Sequence, residues 1–169
     1  MDLLILFFVL SVGVSFICSI LESVLLSINM SYVAVLEKER PTVGKLLRLH
    51  KENINKSIAS ILILNTIANT LGAAAVGAQA AVLFGMDAVV IISMVMTFAI
   101  LFLSEFILKT IGAIYWKQLA QAPAYTIVIL IGITYPLILT TCFFTNKISR
   151  GKKGSIIFTK RELLKSMFL

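Results

Sequence analysis

Charge is scarce in this sequence. Only 14% of its 169 residues are Asp, Glu, Lys or Arg, while 59% are hydrophobic, whereas about a quarter of the residues in an ordinary soluble domain are charged. A water-soluble globular fold is thereby excluded, and the chain reads as an integral membrane protein. Cysteine is scarcer still. Cys18 and Cys142 sit in separate apolar segments, which fits neither a disulfide framework nor a zinc spacing, so both read as small hydrophobes. The single histidine, His50, lies near the expected membrane interface and has no cluster around it, and no Walker A loop or Gly-x-Ser-x-Gly elbow occurs. No catalysis is expected from such a set. Eight acidic residues against 15 basic ones give a net charge of +7. The basic residues flank apolar segments, where anionic lipid headgroups, and not nucleic acid, are the nearer partner.

Four apolar segments are present, roughly 3–28, 57–84, 88–114 and 124–145, each near or above the ~20 residues that span a bilayer as a helix. The first begins Met1-Asp2 without a positive n-region and is too long for a signal peptide, so it reads as a retained span. Lys38, Arg40, Lys45, Arg48, Lys51 and Lys56 fill the loop after it, while the hairpin near 80–88 has no basic residue and carries Asp87. The positive-inside rule then predicts an outside N-terminus and a cytoplasmic 29–56 loop. A fourth crossing would carry Lys147, Arg150, Lys152, Lys153, Lys160, Arg161 and Lys165 outward. With Pro123 before it, Pro136 at its middle and several threonines, segment 124–145 is instead predicted to bend and stay on the inner side. The expected fold is all-α: three transmembrane helices, cytoplasmic juxtamembrane helices and a bent interfacial helix.

Between the first two spans, apolar residues at 32, 35, 36, 43, 46, 47 and 49 recur at helical spacing among charges, broken at Pro41-Thr42. Two short helices are predicted there, lying on the membrane surface or forming a solvated hairpin.

The spans also carry polar residues. Ser19, Glu22 and Ser23 lie at i, i+3 and i+4 in the first, Asn65 and Asn69 at i and i+4 in the second, and Ser104, Glu105 and Lys109 in the third. At 1.5 Å per residue from the predicted inner ends, Glu22 lies about 9 Å deep, Asn65 about 12 Å, Ser19 and Glu105 about 13 Å, and Asn69 about 18 Å. They share one layer. All of the donors except Lys109 offer oxygen, which suits a hard cation such as Mg²⁺, Ca²⁺ or Na⁺. Asn and Ser alone also serve as interhelical hydrogen-bonding groups, but a carboxylate at this depth requires a proton, a cation or a cationic side chain. Lys109 either pairs with Glu105 at i, i+4 or snorkels to the inner headgroups. The run "TLGAAAVGAQAA" in the second span offers a surface of small residues for close helix approach, within the protomer or across a dimer.

These residues resemble the transmembrane module of the CorC/CNNM family of magnesium transport proteins. The family's Ser–Gly–Ser–Glu–Thr-like, Ile–Gly–Asn–Asn–x–x–Asn-like and Gly–Glu–x–x–Pro–Lys–Thr-like motifs read here as "SILESVLLS" from Ser19, "ILILNTIANT" ending at Asn69–Thr70, and "SEFILKT" from Ser104. The resemblance covers about residues 5–150. It implies a homodimer of three-helix protomers in the plasma or inner membrane, a belt-like helix after the third span, and export of Mg²⁺ coupled to Na⁺ through a cytoplasm-facing site. Carried over, the candidate cation ligands are Ser19, Glu22, Ser23, Asn65, Asn69, the Ser104 backbone and Glu105, with Lys109 as the motif lysine. Leu108 stands where the motif has proline, Ile20 and Leu21 replace a small pair, and Thr66 replaces the second Asn. Loss of the proline restores a backbone hydrogen bond and removes one reason for the third span to kink. Residues 1–150 form the expected transmembrane domain, and 151–169 a basic cytoplasmic tail or the start of a linker to cytosolic CBS domains. The competing function is a non-transporting dimeric scaffold that anchors or regulates a partner, its polar layer serving only helix packing. A proton- or Na⁺-driven carrier of another solute is a third reading.

Overall fold

The computed structural model describes the backbone of residues 1–148 and the side chains of residues 1–138. Cys142 and the basic tail from 151 onward lie outside the described side chains and residues respectively. Within those bounds the chain is helical throughout: α1 Asp2–Ser27, α2 Met30–Glu39, α3 Pro41–Glu52, α4 Ile54–Phe84, α5 Met86–Ala99, a π-helical segment Ile100–Ile107, α6 Leu108–Ile114, α7 Trp116–Leu119 and α8 Gln121–Ile148. The all-α membrane fold expected from hydropathy is present.

Among the described residues, four stretches are long and apolar enough to cross a membrane: Asp2–Ser27, Ile54–Phe84, Met86–Ile114 and Gln121–Ile138. Length and composition thus count the fourth segment with the three expected spans. It differs from them in packing. In its apolar window 39% of the residues are buried, against 22%, 17% and 17% in the others, so it presents less of itself to lipid. Helix α8 continues through Pro136 without a break in its helical backbone, with the buried Thr134 hydroxyl bonded to the Leu130 carbonyl at 2.7 Å one turn earlier.

The chain divides into two compact units, Met1–Asn29 with Leu64–Ala120, and Met30–Ile63 with the residues from Gln121 onward. Helix α4 is shared between them. Its 31 residues measure about 46 Å at 1.5 Å per residue, well beyond the roughly 30 Å of a hydrocarbon core. Its start carries the polar residues Asn55, Lys56 and Ser57.

In the first unit, α1 packs against the π segment, α6 and α7. Val76, Met96 and Ile100 form a buried cluster, with Leu4, Phe7, Phe8, Val12 and Ile92 packed on it. The hydroxyl of Ser11 donates to the Ala68 carbonyl at 2.9 Å, and this is possible because position 72 is glycine: a Cβ there would land on the Ser11 side chain. Gly112 does the same lower down, where a Cβ would come within 2.9 Å of Ser23 Cβ and 3.3 Å of the Ile20 carbonyl. Part of the small-residue surface of α4 therefore serves packing within the protomer.

In the second unit, α2 and α3 form the helical hairpin expected around Pro41, which occupies the first turn of α3 where its missing N–H costs nothing. Arg48 clamps Glu37 across the hairpin with two hydrogen bonds of 2.6 and 2.5 Å, and the guanidinium holds the Glu37 carboxyl below its usual 4.5. Helix α3 packs on α8 through His50, which is only 2% exposed. Its Nε2 lies 3.1 Å from the Ala124 carbonyl and its Nδ1 3.4 Å from the Ser57 hydroxyl. A neutral ring with the proton on Nε2 satisfies both, donating to the carbonyl and accepting from the serine.

Two predictions follow from these contacts. Gly72→Ala forces Ser11 off Ala68, an overpacking typically worth about 1–3 kcal/mol, and a thermal melt of the purified protein is expected to fall accordingly; an unchanged midpoint would show that α1 and α4 do not meet there. Burial, with Lys56 adding to it and the Ala124 hydrogen bond opposing, pushes the His50 pKa below 6.5. The unfolded chain therefore takes up the proton first, so the stability of this packing is whole above pH 6.5 and is lost as pH falls through the window below it. Protection factors of the α3 amides, taken relative to the intrinsic exchange rate at each pH, should fall on acidification across that window in the wild type and not in His50→Gln, which keeps a donor but cannot titrate.

Candidate functional site

Helix α1 presents Ser11, Ser15, Ser19 and Ser23 at four-residue intervals, and all four are buried. In an α-helix this spacing keeps side chains on one face, and the row meets a different polar partner at each level. Ser11 answers Ala68 as described above. At the next levels Ser104, fully buried on the π segment, donates to Ser15 Oγ at 2.7 Å and lies 3.4 Å from Ser19 Oγ. Below these, Ser23 donates to the carbonyl of Lys109 at 2.5 Å. Ser19, Glu22 and Ser23 thus share the face that the i, i+3, i+4 spacing predicts.

Glu22 meets the Lys109 ammonium, with Nζ at 3.3 Å from Oε2 and 3.4 Å from Oε1. The sequence offered Glu105 or the headgroups as the destination of Lys109; the structure gives it a carboxylate on another helix. The reason is local. The i, i+4 pairing rule presumes 3.6 residues per turn, and Glu105 sits in a π-helical stretch whose i→i+5 bonds widen the turn and change the register to Lys109. Glu105 itself is half-buried, and among the described residues no hydrogen bond or ion pair to it is found.

Asn65 and Asn69 on α4 complete the set in the same unit. The side-chain oxygens of both are buried and have no hydrogen-bond partner among the described residues, and Asn65 is only 8% exposed as a residue. An unanswered buried acceptor costs about 1–3 kcal/mol, and native structures retain few of them without a reason. Two, one helical turn apart on one helix, are a feature that packing alone does not explain. Among the described residues no group of three or more His, Cys, Asp or Glu is arranged to hold a metal. Any cation here would be met mainly by hydroxyl and carboxamide oxygens, with a carboxylate to supply charge, a donor set that suits a hard ion.

Sequence reading missed Ser15, whose signal was the four-residue spacing to Ser19, and the π segment, which has no local signature in an apolar run. π-Helical turns inside α-helices recur at functional sites, and this one carries both Ser104 and Glu105. Leu108, in the place of the motif proline, begins the α-helix that resumes directly after it. The third span therefore departs from regular α geometry without a proline.

A family model described as the cyclin M transmembrane N-terminal domain matches residues 5–168. The UPF0053 protein sll1254 of Synechocystis sp. is 28% identical over 137 residues, covering 81% of this chain and 40% of that protein. The chain thus spans about two fifths of the length of this curated relative. Because the family match runs over nearly the whole chain and takes in all the helices described above, the protein belongs to the cyclin M transmembrane domain family, which the sequence motifs indicated as CorC/CNNM.

Proposed function

We propose that this membrane module carries Mg²⁺ through a cation site in the inner half of its spans, formed by Ser19, Glu22, Ser23, Asn65, Asn69, Ser104 and Glu105, with Ser15 added to the set. The observation that supports this most directly is the pair of buried, unpartnered carboxamide oxygens on Asn65 and Asn69. Oxygens in that condition gain from a cation what they lost on leaving water. Mg²⁺ takes about six oxygens in a near-octahedral array and dehydrates reluctantly, so carboxamide, hydroxyl and carboxylate oxygens share its coordination with water that it retains. Glu105, with no counter-charge among the described residues, supplies the negative charge that the neutral donors lack. In this reading the protomer pairs with a second copy in the plasma or inner membrane, its N-terminus is outside, and the basic 29–56 loop meets the inner leaflet. Export driven by Na⁺ is the direction that the family resemblance suggests.

A scaffold reading has one observation in its favour: the hydroxyls of Ser15, Ser19 and Ser104 contact one another directly, as helix packing alone would require. It leaves Asn65, Asn69 and Glu105 unexplained. Transport is therefore preferred.

Glu105→Gln preserves shape and removes charge, and it is expected to abolish Mg²⁺ binding in isothermal titration while leaving the fold intact; unchanged affinity would remove the transport reading and promote the scaffold. Asn65→Leu replaces an unanswered amide by a hydrocarbon of similar size. Without Mg²⁺ it should be as stable as the wild type or more so, by about 1–3 kcal/mol, and the further stabilisation that Mg²⁺ gives the wild type should disappear. A loss of stability in the absence of the ion would mean that Asn65 holds the helices together.

A further inference from the structure

We infer that the Lys109 ammonium is a built-in competitor of the transported cation, docked on Glu22 when the site is empty and displaced toward the headgroups when a divalent ion arrives. The inference rests on the transport reading above and specifies how that site is regulated. Within the spans of the first unit the sequence places three charged side chains inward of the helix ends: Glu22, Glu105 and Lys109. Two carboxylates and one ammonium leave one net negative charge. With Lys109 withdrawn, two remain. The same layer therefore demands a single positive charge in one arrangement and two in the other, and the position of one lysine side chain switches between a monovalent and a divalent requirement.

The geometry fits an exchangeable contact. Nζ stands 3.3 and 3.4 Å from the two carboxylate oxygens, longer than the 2.7–2.9 Å of a tight charge-assisted hydrogen bond. The Lys109 side chain is 43% exposed and that of Glu22 19%, so the ammonium has a way out along the helix surface, and long lysine stems bend toward headgroups readily. The lysine backbone, by contrast, is fixed. Its carbonyl accepts the Ser23 hydroxyl at 2.5 Å, and Gly112, one turn on, leaves no room for a Cβ against Ser23. A held backbone with a partly exposed tip is what an exchange of partners requires. A second feature of the same unit points to an ion: the Asn65 oxygen is buried and unanswered although Lys109 is already spent on Glu22.

Competition of two cations for one carboxylate is reciprocal: whatever factor the ammonium takes from Mg²⁺ affinity, Mg²⁺ takes from the ammonium's hold on Glu22. Two readouts follow. Isothermal titration of MgCl₂ into the full chain in nanodiscs is expected to show about tenfold tighter binding by Lys109→Gln than by the wild type, within the range usual for coupled sites, and wild-type affinity in Lys109→Arg. Acylation of Lys109 by an amine-reactive ester, followed by mass spectrometry on the wild-type chain, should be faster with saturating MgCl₂ than without it. A purely structural ion pair would give weaker or equal Mg²⁺ binding in Lys109→Gln and acylation indifferent to Mg²⁺, and either result overturns the exchange. Should Lys109→Gln fail to fold, the wild-type acylation rate decides alone. If the wild type shows no saturable Mg²⁺ heat, the transport reading falls and the exchange with it; if it binds Mg²⁺ and Lys109→Gln binds no tighter, only the exchange falls.

Discussion

A hydroxyl removed from water must find another partner, and in this protein that requirement is concentrated on one face of α1. Ser11, Ser15, Ser19 and Ser23 are all buried, and through them α1 meets the Ala68 carbonyl, the Ser104 hydroxyl and the Lys109 carbonyl. Each contact is modest, since interhelical hydrogen bonds in membranes average well under 2 kcal/mol. Their joint effect is register. The hydrocarbon offers no hydrophobic force to hold apolar helices together, so close packing and polar pairs fix where each turn of one helix meets the next, and the row of serines sets α1 against the second span at Ser11 and against the third span from Ser15 to Ser23.

That register also brings charge together. Glu22 lies one residue before Ser23, so fixing Ser23 on the Lys109 carbonyl brings the carboxylate within reach of the lysine's own ammonium. The ion pair is thus a consequence of the backbone contact, because the residue whose carbonyl accepts Ser23 also supplies the ammonium that meets Glu22. Removing Lys109 would leave the more buried Glu22 carboxylate without its counter-charge, whereas putting another cation in its place would not. Exchanging one positive charge for another at Glu22, as proposed above, would therefore not require the helices to part.

How much of this was legible beforehand follows from the nature of each signal. The helices of spanning length and the hairpin broken at Pro41 were readable because bilayer thickness and proline stereochemistry act locally on the chain. The shared face of Ser19, Glu22 and Ser23 was readable for the same reason, and Ser15 was available on the same rule. The partner of Lys109 was not, because local spacing ranks Glu105 first and only the packing of α1 on α6 brings Glu22 closer. His50 gave no ligand pattern and was set aside. Its burial against Ala124 depends on α8, more than seventy residues later in the chain.

The π segment follows from the same register. Ile100, Ser104, Leu108 and Gly112 are the buried positions of the third span from residue 100 onward, four residues apart like the serines of α1. In a regular α-helix four residues overshoot a full turn of 3.6, so such a row drifts steadily around the helix. In a π-helix the i→i+5 closure makes the turn wider than four residues, and the same row drifts the other way. A helix that is π-helical through Ile107 and α-helical from Leu108 lets the two drifts offset one another, and both parts pack on α1. The motif proline is absent, so a missing backbone donor is not the cause of the widened turn. The cause lies in keeping one face of the third span against one face of α1. The departure from α geometry that displaces Glu105 from Lys109 is the same departure that holds Ser104 against Ser15.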